Sequence, residues 1–241
     1  MSNIPVYAHR GGATKYVENS LKSFEAASKI GVDGIEMDLQ LSADGIAFVT
    51  HDIDFFRLAG INKRITDMAA EEILKLKLGK TIVRRFLYSR VLSLEDFLTF
   101  FKQTNMKLNV EFKESFLGKT EKIEEVVYKT EAIKDVHYSS FEESILEVIQ
   151  RIPIKTKTAF IGKKSSSWDQ ILSNRNYEAI HLNKKFYGTD LMNKIWDAGF
   201  PMRFYNIKGT EKYLINPHEA VIGWITDYPR KVIEQQNRTK R

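Results

Sequence analysis

Short β-branched or aromatic runs alternate with amphipathic stretches almost from end to end of this chain, and that alternation restricts its fold more than any other feature. Strand-like runs lie at Ile4 to Ala8, Gly34 to Leu39, Ile46 to Thr50, Lys107 to Phe112, Val136 to Ser139, Thr156 to Phe160, Ala179 to Leu182, Met202 to Tyr205 and Gly223 to Thr226. Helical periodicity covers Ser20 to Ile30, Ser93 to Gln103, Glu121 to Thr130, Glu142 to Arg151, Ser167 to Leu172, Asp190 to Ala198 and Pro229 to Gln236. Two of these helices carry start signals: Ser93 with Asp96 three residues on, and Asp190 ahead of an apolar run. A helix between two strands carries the chain back across the sheet, so the strands run parallel. The length of 241 residues suits an α/β barrel or a doubly wound sheet. The strand count favours a TIM-type (β/α)8 barrel, read as one domain over residues 1–241.

Nine strand-like runs are one too many for eight barrel staves. The surplus lies in residues 34–50, where Ser42-Ala43-Asp44-Gly45 signals a tight turn. So short a connection joins only antiparallel neighbours, which predicts a hairpin-like departure there. Residues 54–90 are the least regular and read as a small insertion between barrel units. Within it, Met68 to Leu78 has helical character and Gly79 to Arg90 has no clear period.

The chemistry concentrates in a few places. Glu36 and Asp38 are separated by one residue in an apolar strand, so their side chains share a face. Two carboxylates on a buried face repel and lose solvation, and they require a cation. A hard divalent ion or a structural Arg or Lys would serve. His9 and Arg10 fall just past the first strand, His51 just past the third, and Glu111 and Lys113 at the end of the run from Leu108 to Lys113. In a parallel barrel these strand ends converge on one face, where sites of this fold are built. Histidines there supply groups that move protons near neutral pH. His137, His181 and His218 read by default as hydrogen-bonded or surface residues.

Composition excludes several classes. There is no cysteine, which removes disulfides, thiolate metal sites and cysteine nucleophiles. The net charge of +6 favours anionic partners. The basic residues are dispersed, however, with small clusters at Lys63-Arg64, Arg84-Arg85, Lys163-Lys164 and Lys184-Lys185, and the tail from Asn237 to Arg241 reads as a frayed end, so no nucleic-acid partner is expected. The segment Met1 to Pro5 lacks the features of a signal peptide, and no apolar run approaches the roughly 18–20 residues that span a bilayer. The expected location is cytoplasmic, without a transmembrane segment; a homodimer is left open.

Taken together, the motifs resemble the glycerophosphodiester phosphodiesterase family. The resemblance rests on Ala8-His9-Arg10-Gly11-Gly12, Glu18-Asn19-Ser20, Glu36-Met37-Asp38, Asp44-Gly45, Val49-Thr50-His51-Asp52, Asn109-Val110-Glu111-Phe112-Lys113 and Thr226-Asp227-Tyr228-Pro229, in family order along essentially the whole chain. The resemblance implies an eight-stranded α/β barrel that hydrolyses a small-molecule glycerophosphodiester to glycerol 3-phosphate and an alcohol. It implies one divalent metal, Mg²⁺ or Ca²⁺, on Glu36, Asp38 and Glu111, an acid–base pair at His9 and His51, and phosphate contacts from Arg10 and Lys113. Glu18 and Asn19 fall in a structural or substrate-proximal motif. Two departures stand out. Val17 replaces a common proline, and Tyr205-Asn206-Ile207-Lys208 stands where the family often has Trp-Thr-Val-Asn. An alternative on the same barrel is a lipid-directed phospholipase C- or D-like phosphodiesterase, with Phe55, Phe56, Phe100 and Phe101 as candidates for an apolar rim. A third alternative, an anion-binding barrel without turnover, has no use for two histidines beside the carboxylates.

Overall fold

The computed structural model describes residues 3–12, 15–79, 88–174 and 176–238. The barrel strands, in chain order, are β1 (Val6–His9), β2 (Gly34–Leu41), β3 (Lys107–Phe112), β4 (Val136–Ser140), β5 (Thr158–Ile161), β6 (Ala179–Asn183), β7 (Met202–Ile207) and β8 (Val221–Thr226). Each pairs in parallel with the next, and β1 pairs with both β2 and β8, which closes the cylinder. Two registers matter for the site: His9 stands opposite Glu36, and Asp38 opposite Glu111. The pleat therefore brings an imidazole and three carboxylates to one end of three adjacent staves before any loop is considered.

Seven helices follow the alternation: α1 (Leu21–Ile30), α2 (Leu94–Phe101), α3 (Thr120–Thr130), α4 (Glu143–Arg151), α5 (Trp168–Ser173), α6 (Asp190–Asp197) and α7 (Pro229–Asn237). Between β7 and β8 only the 3-10 turn Lys212–Leu214 intervenes among the helical elements. Helix starts obey local chemistry. Ser20 and Ser93 each accept a hydrogen bond from the third residue on, with Ser23 and Asp96 returning the bond to the cap's own amide. Thr189, not Asp190, caps α6. Buried apolar side chains of the helices, such as Phe24, Phe97, Val126, Ile145 and Ile195, pack onto the strands to form the main core.

The surplus strand is where the turn signal put it. Ala47–Val49 runs antiparallel to β2 and continues onto Leu92–Ser93. Gly45, at φ 75°, makes the turn. The insertion that follows has its own cluster of buried side chains, including Phe48, Phe55, Leu58, Ile65, Met68 and Ile73. The helix expected over Met68 to Leu78 is much shorter. Only Ala70–Leu74 is helical, and Lys77–Leu78 is a strand paired with Ser89–Arg90. The sequence there reads Leu74-Lys75-Leu76-Lys77-Leu78, a period of two that suits a strand better than a helix. Part of the Gly79 to Arg90 stretch, with the Arg84-Arg85 cluster, lies outside the described residues, as do the last three residues of the tail. Among the described residues no helix is long and apolar enough to cross a membrane.

Candidate active site

The end of β1 makes an unusual turn. Arg10, Gly11 and Gly12 take successive positive φ values of 51°, 84° and 70°. At Gly11 an added Cβ would overlap the Ser23 side chain, so glycine is required by space as well as by φ. Arg10 is the non-glycine residue in this run and adopts a conformation that costs energy. Its amide is held in place by the Glu36 carbonyl oxygen at 2.9 Å and by Glu36 Oε2 at 3.0 Å. This locks the chain after β1 onto β2 and sends the Arg10 guanidinium toward Asp38, with Nε 3.0 Å from Oδ2.

Below that turn lie three carboxylates. One oxygen from each of Glu36, Asp38 and Glu111 lies within 4.8 Å of the others, and all three residues are buried. Oxygens bound to one hard cation stand at most about 5 Å apart, so the trio is close enough to converge on one ion. Glu36 Oε1 is buried with no hydrogen-bond partner among the described residues, and Asp38 Oδ1 has only its ion pair with Lys113. Burial and the neighbouring Asp38 charge push the Glu36 carboxyl up to about 8. Asp38 behaves oppositely: burial acts to raise it, but Lys113 and Arg10 hold it below the ordinary carboxylate range. Lys113 Nζ lies 2.9 Å from Asp38 Oδ1 and also bonds Glu111. Burial works against the Lys113 charge, yet these two carboxylates keep it firmly protonated. Asn19, at φ 54°, adds a hydrogen bond to Asp38 Oδ2 at 2.8 Å. Asp38 thus has two cations and an amide donor against it, and Glu36 is left short of positive charge.

Two histidines flank the trio, and each is paired with its own aspartate. His9 Nδ1 lies 2.7 Å from Asp227 Oδ1, and His51 Nδ1 lies 2.7 Å from Asp52 Oδ1. In both aspartates burial acts to raise the carboxyl. The bond with His9 holds Asp227 below the ordinary range, and bonds from Arg57 and His51 do the same for Asp52. Ionised carboxylates only accept, so Nδ1 carries the proton in each ring and Nε2 is left free to exchange one. The Nε2 of His9 lies 4.0 Å from Glu36 Oε2. Burial would lower the His9 pKa, but the Glu36 charge and the Asp227 bond outweigh it and raise it.

His9, Arg10, Glu36, His51, Glu111 and Lys113 line one cavity of about 330 Å³, with Asp38 fully buried behind them. The structure brings all seven residues singled out in the sequence to one place. Arg10 and Lys113, expected at phosphate, are turned toward carboxylates here. The far wall of the cavity is polar, with Asn183, Tyr205 and Asn206. Asn206 sits at φ 65° in an irregularity of the β7–β8 ladder, which re-aims this stretch of strand. His181 forms part of the floor, with His137 behind it. Burial, with Arg203 nearby, keeps both rings neutral. Of the four phenylalanines considered for an apolar rim, Phe55 and Phe101 are core residues, Phe100 is half-buried, and only Phe56 is exposed.

In the sequence Asp52 and Asp227 stand out only as members of motifs, with no role attached, and Arg57 does not stand out at all. The His9–Asp227 pair joins positions 218 residues apart, which no local pattern reveals. Asp52 stood next to His51 in plain view, but adjacency alone does not announce a hydrogen bond.

The model of the glycerophosphoryl diester phosphodiesterase family matches residues 9–198. The uncharacterised protein YqiK of Bacillus subtilis (strain 168) is 25% identical over 232 residues, which is 94% of this chain and 96% of the relative. A glycerophosphodiester phosphodiesterase of Caldanaerobacter subterraneus subsp. tengcongensis is 29% identical over 150 residues, 61% of this chain and 62% of the relative. Among solved structures, an Oleispira antarctica phosphodiesterase in complex with the product sn-glycerol-3-phosphate superposes with a TM-score of 0.83. Its identity is 23% over 96% of each chain, a likeness of fold.

Proposed function

The chain belongs to the glycerophosphoryl diester phosphodiesterase family, and from that premise we propose that it cleaves glycerophosphodiesters to glycerol 3-phosphate and an alcohol in the cavity between His9 and His51. One observation carries the reading: a buried trio of carboxylates with an orphaned oxygen, flanked by two imidazoles whose Nδ1 atoms are each fixed by an aspartate. Binding the product of such a reaction is stated of the Oleispira antarctica neighbour, and it supports the same substrate class here.

The residues divide the work by their chemistry. Glu36, Asp38 and Glu111 would hold the divalent ion, and their oxygen-only donor set suits Mg²⁺ or Ca²⁺. Such an ion, when bound, offsets the negative charge that makes a phosphodiester resist attack. Arg10 and Lys113 line the same cavity, paired here with carboxylates, and would add two permanent cations that stabilise the extra charge of the transition state. With Nδ1 protonated, a neutral ring accepts a proton at Nε2. One histidine takes the proton from the glycerol hydroxyl beside the phosphate, and the other, starting protonated, gives one to the departing alkoxide. Attack by that neighbouring hydroxyl forms a cyclic phosphate and breaks the bond to the alcohol. Water then opens the ring with the proton transfers reversed, leaving glycerol 3-phosphate. An internal hydroxyl has a large proximity advantage over bulk water.

The test is release of glycerol 3-phosphate from glycerophosphocholine and glycerophosphoethanolamine with Mg²⁺, Ca²⁺ or Mn²⁺ supplied in turn. Metal-dependent release supports the proposal; no release with any of the three contradicts it.

A further inference from the structure

The two histidine–aspartate pairs are supported by different parts of the molecule. Asp227 follows β8 directly, so the barrel itself sets the position of His9's partner. Asp52 lies on the loop that leaves the antiparallel strand for the insertion, and among the described residues no barrel strand supplies a partner for its second oxygen. That oxygen, Oδ2, accepts a hydrogen bond from Arg57 Nε at 2.6 Å. The same guanidinium turns its other two nitrogens on Glu18, with Nη1 2.7 Å from Oε2 and Nη2 2.6 Å from Oε1. Glu18 in turn accepts from Arg10 Nη1 at 2.7 Å, and Arg10 Nε lies 3.0 Å from Asp38 Oδ2. An unbroken charged chain therefore runs from His51 through Asp52, Arg57, Glu18 and Arg10 to Asp38.

Arg57 belongs to the insertion, on the one-turn helix Phe56–Ala59. Leu58 anchors that turn in the insertion's own buried cluster, while Gly60, at φ 73°, closes it. A guanidinium is the one side chain whose rigid, planar fork can meet two carboxylates at once through three nitrogens. Lysine offers a single point charge and cannot reproduce that geometry.

The geometry points to Arg57 as a positioning residue for the phosphodiesterase reaction: carried by the insertion, it fixes the Asp52–His51 pair and, through Glu18, the Arg10 guanidinium. The insertion is on this account part of the catalytic assembly and not an ornament between staves. The inference rests on the roles proposed for His51 and Arg10. It predicts an asymmetry, because loss of Arg57 disturbs His51 and leaves His9, held by Asp227, undisturbed.

The experiment compares Arg57→Ala, Arg57→Gln and Arg57→Lys with the wild type and with His51→Ala, on full-length protein with metal present. Turnover is read as kcat and KM separately, and the downfield imidazole N–H signals are followed by proton NMR on histidine-labelled protein. The His51 signal is identified by its loss in His51→Ala. Expected are a fall in kcat of roughly 30-fold or more in all three Arg57 variants, loss of the His51 signal with retention of that of His9, and partial recovery of Arg57→Ala, but not Arg57→Lys, on adding guanidinium ion. If Arg57→Ala turns over within twofold of wild type while His51→Ala is inactive, the inference fails and the proposed function stands. If His51→Ala is itself active, the proposed function fails first. A loss of kcat in which both imidazole signals vanish and guanidinium restores nothing shows general disruption, and that also overturns the positioning role.

Discussion

Binding of a divalent ion should expel a proton from Glu36, and the surroundings of that carboxyl set the direction of the effect. Burial and the Asp38 charge push this carboxyl up to about 8, so without an ion it holds its proton to higher pH than an ordinary carboxyl. A metal ligand must be a carboxylate, so the ion and the proton compete for the same oxygen. Proton release should therefore be larger at pH 7 than at pH 9, and the apparent affinity should climb by up to about tenfold as the pH is raised between those values. The sign follows from the direction of the shift: a raised carboxyl favours the ion as pH increases. Isothermal titration with Mg²⁺ or Mn²⁺ in two buffers of different ionisation heat measures the proton count directly. Glu36→Gln should abolish the buffer dependence and weaken binding. Heats identical in both buffers at pH 7, or an affinity flat from pH 7 to 9, would refute the reasoning.

Three further outcomes are expected. His9→Ala and His51→Ala should each cut kcat roughly 100-fold or more while circular dichroism and melting temperature stay near wild type, since each ring makes a proton transfer that water performs poorly. Asp227→Asn replaces an acceptor of the His9 Nδ1 proton with an amide that can also donate, so kcat should fall roughly 10- to 100-fold with little change in melting temperature. Glu18 is held below the ordinary carboxylate range although burial acts to raise it, by bonds from Arg57 and the charge of Arg10. A depressed carboxyl stabilises the fold above its unfolded pKa, and that stabilisation fades as pH falls through the lowered folded value. Thermal melts should therefore show Glu18→Gln less stable than wild type at pH 7, with the two curves converging as the pH is taken below about 4; parallel curves would contradict this.

Much of the barrel could be read from local pattern, because each strand is short, apolar and bounded by turn or cap residues. The departures are instructive. Thr156 to Phe160 shifted to Thr158–Ile161, and Gly223 to Thr226 lengthened backward to Val221, since strand ends are decided by neighbouring strands and not by propensity. Met68 to Leu78 misled because Glu71, Glu72 and Leu74 favour a helix while the alternating Lys-Leu that follows favours a strand, and pairing with Ser89–Arg90 settled the contest. The site was legible to the extent that its members lie at strand ends. Glu36 and Asp38 share a face by periodicity alone, and Glu111 joins them through the β2–β3 register. What could not be read were the groups that orient those members. Asp227 reaches His9 only after the barrel closes β8 onto β1. Arg57 reaches Glu18 across 39 residues, through an insertion whose period is too weak to place it.

The central claim is that one divalent ion sits among Glu36, Asp38 and Glu111, between the two imidazoles. It is tested most directly by a crystal structure of the Mn²⁺-loaded protein with data collected at the manganese absorption edge. The account predicts a single strong anomalous peak within about 2.1–2.5 Å of an oxygen from each of the three carboxylates. A peak elsewhere on the molecule, with the three carboxylates left unligated, would contradict it.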